Sequence, residues 1–197
     1  MRFPLITSLF RTVQLATVTE AGLPAVRTVV FRGWMQNPIR DDADADKFQD
    51  SIDTDVHLKF ITDLRSFKMS QSKVGEVCWY FTETREQFRL RGDLLMVTHE
   101  STDSRLTRQR RGLWKSISDS ARESYSWPAP GSDRPEDADE DKDFRCSADN
   151  TSISNNFVLM LLRPNHVDHL RLKGFPQKRS MWFINDERSW VNNSVNP

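Results

Sequence analysis

The sequence predicts a mainly β (α+β) fold, an antiparallel barrel of about six or seven strands with peripheral helices. Short runs rich in β-branched and aromatic residues recur along the chain and are separated by turn-forming residues. These runs follow one another too closely to leave room for the helical crossovers that parallel strands need. The longest stretch of helical periodicity follows residue 103.

Composition excludes several classes of protein. The 197 residues fit one domain, 1–197, and Lys+Arg and Asp+Glu both number 28, so no excess of positive charge indicates a nucleic-acid partner. No apolar run reaches transmembrane length, so no membrane partner is expected. Cys78 and Cys146 lack the spacing of metal ligands, and we expect two reduced thiols in a cytoplasmic protein.

The N-terminal region predicts a short helix followed by a hairpin. Residues 4–12 fit a short helix, and residues 13–18 and 25–34 fit strands. The turn between these strands contains Gly22 and Pro24, which favour a tight reversal. A further strand is predicted over residues 57–62.

Two acidic segments, at about 36–55 and 132–143, are predicted to be surface loops. The first contains Asp42, Asp44 and Asp46, a spacing that raises the alternative of a calcium site. An EF-hand loop also needs a central Gly and a closing Glu in register, and both are missing. A solvated loop is therefore the favoured interpretation.

The stretch 76–92 predicts a hairpin with two different faces. An apolar run at 77–81 predicts a buried strand. After a polar turn, apolar and polar side chains alternate along residues 87–92, which predicts a second strand. Phe88 and Leu90 then share one face, and Gln87, Arg89 and Arg91 share the other. Such a polar face is typical of a wall of a binding site for an anion or for a planar ligand with polar edges.

The C-terminal half predicts helices and then more strands. Asp103 is expected to cap an amphipathic helix, or two short abutting helices, that ends before the prolines of 124–131. Strands are predicted over 156–162, 181–184 and 189–192, with a turn or short helix over 164–170.

Motifs of several catalytic classes are absent from the sequence, and no metal site is predicted. His166 and His169 are three residues apart and could share a helical face as metal ligands, but no further ligand pattern accompanies them. Arginine and lysine side chains instead lie on or near several of the predicted strands, where they could converge on a phosphate. They are Arg27, Arg32, Arg65, Lys68, Arg89 and Arg179. The same pattern fits ordinary solvent-facing residues, and both interpretations stay open on spacing alone.

Five short motifs in order resemble the pyridoxamine 5′-phosphate oxidase-like, FMN-binding split-barrel family. They are residues 27–32 (RTVVFR), 60–68 (FITDLRSFK), 86–92 (EQFRLRG), 176–182 (PQKRSMW) and 190–197 (WVNNSVNP). Together they span most of the chain. The resemblance implies a split β-barrel, FMN as the cofactor, and a homodimer with flavin sites at the subunit interface.

The resemblance also implies roles for individual residues. The residues expected to contact FMN are Arg27, Thr28, Val29, Val30, Arg32, Ile61, Thr62, Ser66, Lys68, Gln87, Arg89 and Arg179. Arg27, Arg32 and Lys68 would bind the phosphate, Gln87 would reach FMN from the neighbouring subunit, and Arg179 would lie near the flavin ring. Because the flavin carries the chemistry, no catalytic side chain is assigned. The implied activity is FMN-dependent oxidoreduction of a small molecule; the alternatives are a non-catalytic flavin-binding or carrier protein, or a split barrel binding another cofactor.

The sequence departs from the pattern of pyridoxamine 5′-phosphate oxidases at three places, which indicates a divergent branch of the family and not a typical vitamin B6 oxidase. Phe67 occupies the position where a second cation usually precedes the lysine of the phosphate segment. The substrate-recognising Arg-x-His pair is absent around Gln177, and Ser194 occupies the position of a C-terminal arginine. The resemblance therefore does not identify the substrate.

Overall fold

The structure, a computed structural model, describes residues 11–35, 56–134, 136, 143–144 and 152–197. Within these residues lie nine strands and two α-helices, with a short 3₁₀ helix at Phe67–Met69. The strands are β1 (Thr12–Val18), β2 (Pro24–Val30), β3 (Trp34–Met35), β4 (His57–Asp63), β5 (Val74–Phe81), β6 (Glu86–Val97), β7 (Phe157–Arg171), β8 (Lys178–Ile184) and β9 (Trp190–Val195). The α-helices are α1 (Ser104–Ser116) and α2 (Asp119–Glu123).

The nine strands form one sheet. Its order is β2-β1-β5-β6-β7-β4-β3, and β8 pairs with β7 while β9 pairs with β8. The pairs β1–β2, β1–β5, β3–β4, β5–β6, β7–β8 and β8–β9 are all antiparallel. The prediction of a mainly β fold with antiparallel strands and few helices is confirmed.

The chain divides into two compact units. Among the described residues, the first unit comprises 11–35, 56–60, 72–95 and 161–197. The second unit comprises 61–71, 96–134, 136, 143–144 and 152–160. The assignment of residues 1–197 to a single domain stays a prediction.

Aromatic side chains fill the core of the first unit. The ring of Phe31 lies 4.8 Å from that of Trp79, which stacks on Phe81 at 5.2 Å. Phe81 contacts Phe88 edge to face at 5.7 Å. All four side chains are buried. Trp79, Phe81 and Phe88 share this core because every second residue of β5 and β6 points to the same side of the sheet. The buried Phe88 and Leu90 are the two residues that the sequence placed on the apolar face.

The second unit has its own apolar core. Trp114, Tyr125 and Phe157 contact one another edge to face, with ring centroids 5.0 to 5.7 Å apart. Asp103 caps α1 as predicted, because its side chain accepts hydrogen bonds from the backbone N–H groups of Arg105 and Leu106. The two short helices α1 and α2 also match the prediction for this stretch.

Two predicted elements differ from the structure. The turn or short helix at 164–170 is wrong, because β7 continues as a strand through Pro164 to Arg171. Pairing with β8 over residues 166–171 holds this part of β7 extended, so contacts with a distant strand override the local turn pattern. The strand predicted at 25–34 ends at Val30, and the chain turns at Gly33, whose φ of +104° lies in the left-handed region.

Some predictions concern residues outside the described ranges. The acidic segment 36–55 and most of the helix predicted at 4–12 lie outside them. The acidic segment 132–143 is described only at 132–134, 136 and 143. Within the described part of the chain, none of the helices has the length and apolar character that crossing a membrane requires.

Gly92 allows β6 to approach β7 closely, which yields a stability prediction. A Cβ atom at Gly92 would overlap the carbonyl oxygen of Arg163, so the backbone would have to move. We expect Gly92→Ala to lower the free energy of unfolding of the cofactor-free protein by about 3 kcal/mol. Urea denaturation followed by circular dichroism measures this change.

Gly112→Ala is the matched control. Gly112 lies in α1 with no atom within 4 Å of an added Cβ, so alanine should stabilise the helix by about 0.5–1 kcal/mol. Equal effects of the two substitutions would contradict the close approach at Gly92.

Candidate functional site

Two polar clusters lie among the residues that the sequence singled out. The hydroxyl–lysine cluster consists of Thr62, Ser66 and Lys68 and belongs to the second unit. The carboxylate–arginine cluster consists of Arg89, Asp168 and Arg179 and belongs to the first unit.

The hydroxyl–lysine cluster forms where β4 ends and the chain turns into the 3₁₀ helix. The Lys68 Nζ donates to Thr62 Oγ1 at 2.9 Å and to Ser66 Oγ at 3.0 Å, and the two hydroxyl oxygens are 3.1 Å apart. Thr62 and Ser66 are buried, and the backbone N–H of Ser66 donates to the Asp63 carbonyl at 3.1 Å. The Ser66 hydroxyl in turn donates to the Asp63 carbonyl at 2.8 Å. One ammonium and two hydroxyls therefore converge in a small space, and a positive charge beside hydroxyl groups suits a phosphate.

Arg65 lies in the same turn but is held by other groups. Its backbone N–H and Nε donate to Asp63 Oδ1, its Nη2 donates to Asp63 Oδ2, and its Nη1 donates to the carbonyl of Trp127 at 2.7 Å. The hydrogen bond to Asp63 raises the pKa of Arg65, burial opposes this change, and the charge of Asp63 adds to it. Arg65 therefore organises the turn and the loop at Trp127.

The carboxylate–arginine cluster lies on the neighbouring strands β6, β7 and β8. Asp168 is 2% exposed. The Arg179 Nε donates to Asp168 Oδ1 at 3.0 Å and its Nη2 to Asp168 Oδ2 at 2.7 Å, while Arg89 Nη2 also donates to Oδ2. Two guanidinium groups share one carboxylate, so the cluster carries one net positive charge.

The charge of Asp168 is maintained despite its burial. Burial by itself raises the pKa of this carboxyl, but the hydrogen bonds from Arg179 and Arg89 and their positive charges lower it by more. The net result is a pKa below the ordinary value, so Asp168 is ionised at neutral pH. The hydrogen bond to Asp168 also raises the pKa of Arg179.

Histidine and cysteine side chains lie near this cluster. The ring of His169 stacks on Phe88 at 4.1 Å, and its Nε2 lies 3.0 Å from Glu86 Oε1. Burial and the charge of Arg91 lower the pKa of His166, and burial raises that of Cys78. Among the residues that the structure describes, no three His, Cys, Asp or Glu side chains lie together as metal ligands would.

Arg27 and Arg32 belong to the β2 segment of the first unit. The Arg27 Nη1 donates to Thr17 Oγ1 and, at 3.4 Å, to the Leu15 carbonyl, and burial lowers the pKa of Arg27. The Arg32 backbone N–H donates to the Lys59 carbonyl at 2.8 Å. The Arg32 Nε is buried without a hydrogen-bond partner within the described ranges, so an anionic ligand could satisfy this donor.

The remaining predicted site residues lie on strands. Thr28, Val29 and Val30 follow Arg27 along β2, where Thr28 is exposed, Val29 is buried and Val30 is half-buried. Ile61 packs partly against the apolar core of the second unit. Gln87 is half-buried on β6 opposite Tyr80 of β5, two residues before Arg89.

Asp168 is the residue that sequence reasoning missed. The prediction of a turn at 164–170 removed it from consideration, because a turn residue is normally solvated. The structure brings Arg89 and Arg179 together through Asp168, and brings Thr62, Ser66 and Lys68 together directly.

Comparisons with known proteins agree on one family. Residues 6–98 match the family described as pyridoxamine 5′-phosphate oxidase, FMN-binding domain. The chain is 33% identical over 187 residues to the pyridoxine/pyridoxamine 5′-phosphate oxidase 2 of Arabidopsis thaliana, and the match covers 94% of this chain and 86% of the relative. Similarity at this level over nearly the whole chain establishes the family.

Solved structures show the same fold. A pyridoxamine 5′-phosphate oxidase-related, FMN-binding protein from Nostoc punctiforme is 39% identical, with a TM-score of 0.78 over 95% of this chain and 87% of the other. PhzG from Burkholderia lata, solved in complex with tetrahydrophenazine-1-carboxylic acid, is 18% identical, with a TM-score of 0.67 over 95% and 82% of the two chains. The second likeness concerns the fold alone. The predicted split-barrel fold class is confirmed.

Proposed function

We propose that this chain, which belongs to the pyridoxamine 5′-phosphate oxidase-related family of FMN-binding proteins, is an FMN-dependent oxidoreductase acting on a small molecule. FMN is its cofactor, as the family domain and the Arabidopsis relative both imply. The observation that carries the proposal is the 33% identity to that oxidase over 94% of this chain. A location in the cytoplasm and a homodimeric state are part of the proposal.

The bound flavin would supply the redox chemistry, so the side chains need only bind and orient it and exclude water. The hydroxyl–lysine cluster suits the phosphate of FMN, because it places the positive charge of Lys68 beside two hydroxyl groups within one turn. Arg27 and Arg32 are proposed as further phosphate ligands. The buried, unpartnered Nε of Arg32 supports its part in this assignment.

The flavin ring requires a flat slot with polar groups at its edge. We assign the backbone groups of Thr28, Val29, Val30 and Ile61 to the face of the ring. Gln87 and Arg89 would reach it from the neighbouring subunit, and Arg179 would lie near its N1–C2 edge. The half-buried positions of Gln87 and Arg89 on one face of β6 support a shared role for these two residues.

The family relationship does not identify one compound as the substrate. The name of the Arabidopsis relative makes pyridoxine and pyridoxamine 5′-phosphate the first compounds to test. However, this chain lacks an Arg-x-His pair around Gln177 and has Ser194 in place of an arginine. We therefore propose a small molecule as substrate without naming it.

The proposed activity is tested with the purified protein. We expect a yellow protein that releases about one FMN per chain on denaturation. Without oxygen, an electron donor from a panel containing pyridoxamine 5′-phosphate and NADPH should bleach the flavin absorbance, and air should restore it. Protein that holds FMN but is bleached by no donor would be a non-catalytic flavin-binding protein. Protein that takes up no FMN would refute the proposal and favour another cofactor.

Lys68→Ala tests the assignment of the phosphate. Loss of one charge-assisted contact should weaken FMN binding by roughly 10- to 100-fold. Riboflavin lacks the phosphate, so its affinity should change by less than about threefold. Fluorescence titration of the cofactor-free protein with both flavins measures the two dissociation constants.

Lys115→Ala is the control for this test, because Lys115 is an exposed lysine of α1 in the same unit. This substitution should leave both affinities unchanged. An equal loss of FMN and riboflavin affinity in Lys68→Ala would count against the phosphate assignment.

A mixed dimer tests whether Gln87 acts across subunits. The heterodimer combines one Lys68→Ala chain with one Gln87→Ala chain. If each FMN site takes Lys68 from one chain and Gln87 from the other, one site of this heterodimer carries both substitutions and the other carries neither. Two different affinity tags allow this heterodimer to be purified. We expect about one tightly bound FMN per heterodimer, and weak binding in both homodimeric variants.

If Gln87 and Lys68 served the same site from one chain, each site of the heterodimer would carry one defect. The heterodimer would then bind FMN as weakly as the two parents. That result, or a fully active monomer in solution, would overturn the interface site.

A further inference from the structure

Asp168 is the most deeply buried charged residue of the described chain, at 2% exposed, and the proposed flavin contacts leave it without a role. A buried carboxylate loses its hydration, and only close partners offset that cost. Arg89 and Arg179 supply three hydrogen bonds to its two oxygens. The carboxylate therefore holds both arginines in one arrangement.

A contribution to folding stability does not by itself explain why two arginines surround a buried carboxylate. A buried ion pair often contributes no more than well-packed apolar side chains of similar size. Here only the carboxylate is buried, because the side chains of Arg89 and Arg179 are 39% and 29% exposed. The arrangement presents two oriented guanidinium groups at a surface, where Asp168 offsets one of their two positive charges and Glu76 Oε1 lies 4.0 Å from Arg89 Nε.

We propose that Asp168 is a positioning residue that orients Arg89 and Arg179 toward FMN and sets the charge that these arginines present to it. The inference rests on the proposed function, because it requires that Arg179 act on a bound flavin. The redox potential of bound FMN then depends on the sum of these three charges. Reduction adds electron density to the flavin, so a more positive surrounding raises its midpoint potential.

Two substitutions should move the potential in opposite directions. Asp168→Asn keeps the size of the side chain and one acceptor oxygen but removes the negative charge, so the midpoint potential of bound FMN should rise. Arg179→Gln removes a positive charge from the cluster, so the potential should fall. Simple loosening of the strands would not produce opposite signs in the two variants.

Asp93→Asn is the matched control. Asp93 and Arg163 form an ion pair at 2.8 Å on the same two strands, β6 and β7, but both side chains are about half exposed. Solvent screens this pair, so its loss should leave the potential unchanged. Asp168→Glu restores the charge and serves as the conservative variant, in which the potential should return toward the wild-type value.

The experiment measures the midpoint potential of FMN bound to the purified wild-type protein and to these four variants by equilibration with reference dyes. Thermal denaturation of each protein reports its stability separately. The expected result is a rise in Asp168→Asn, a fall in Arg179→Gln, and no shift in Asp93→Asn. Potentials of Asp168→Asn and Arg179→Gln that match the wild type, or that shift in the same direction, would overturn the positioning role and leave the proposed function intact.

Misfolding of Asp168→Asn does not remove the test, because Arg179→Gln and Asp168→Glu leave the buried carboxylate charge in place. An unchanged potential in folded Arg179→Gln would by itself overturn the inference. Wild-type protein that binds no FMN would overturn both the proposed function and this inference.

Discussion

The alternation of side chains along β6 determines both the core and the polar surface of the first unit. Burial of Phe88 and Leu90 requires that Gln87 and Arg89 lie on the opposite face of the strand. A shift of one residue in register would exchange the two sets and expose the aromatic core. The close approach of Gly92 to Arg163 on β7 opposes such a shift, because only glycine leaves room there.

This constraint brings an arginine to a buried carboxylate. Arg89 reaches Asp168 only because β6 and β7 are neighbours, and Arg179 reaches it because Leu170 of β7 pairs with Arg179 of β8. Burial and positive charge act on Asp168 in opposite directions, and the two arginines decide the outcome. Electrostatics and strand pairing therefore support each other at this point in the sheet.

In the second unit, one tight turn organises the polar residues. Asp63 holds Arg65, and this leaves Lys68 to meet the hydroxyls of Thr62 and Ser66. Two cations three residues apart thus have different surroundings, one in an ion pair and one among neutral hydroxyls. Spacing alone could not distinguish the two cations, since both lie within two residues of Ser66.

Local patterns allowed the sequence by itself to determine the mainly β class, the hairpin of β5 and β6, the helix cap at Asp103, and the family with its FMN cofactor. Each of these depends on residues close together in the chain, whose periodicity or motif is visible without contacts. Only the tertiary structure decided that β7 continues through Pro164 and that Asp168 joins Arg89, which is 79 positions away. The physical reason is that pairing with a distant strand and burial of a charge depend on partners that spacing does not reveal.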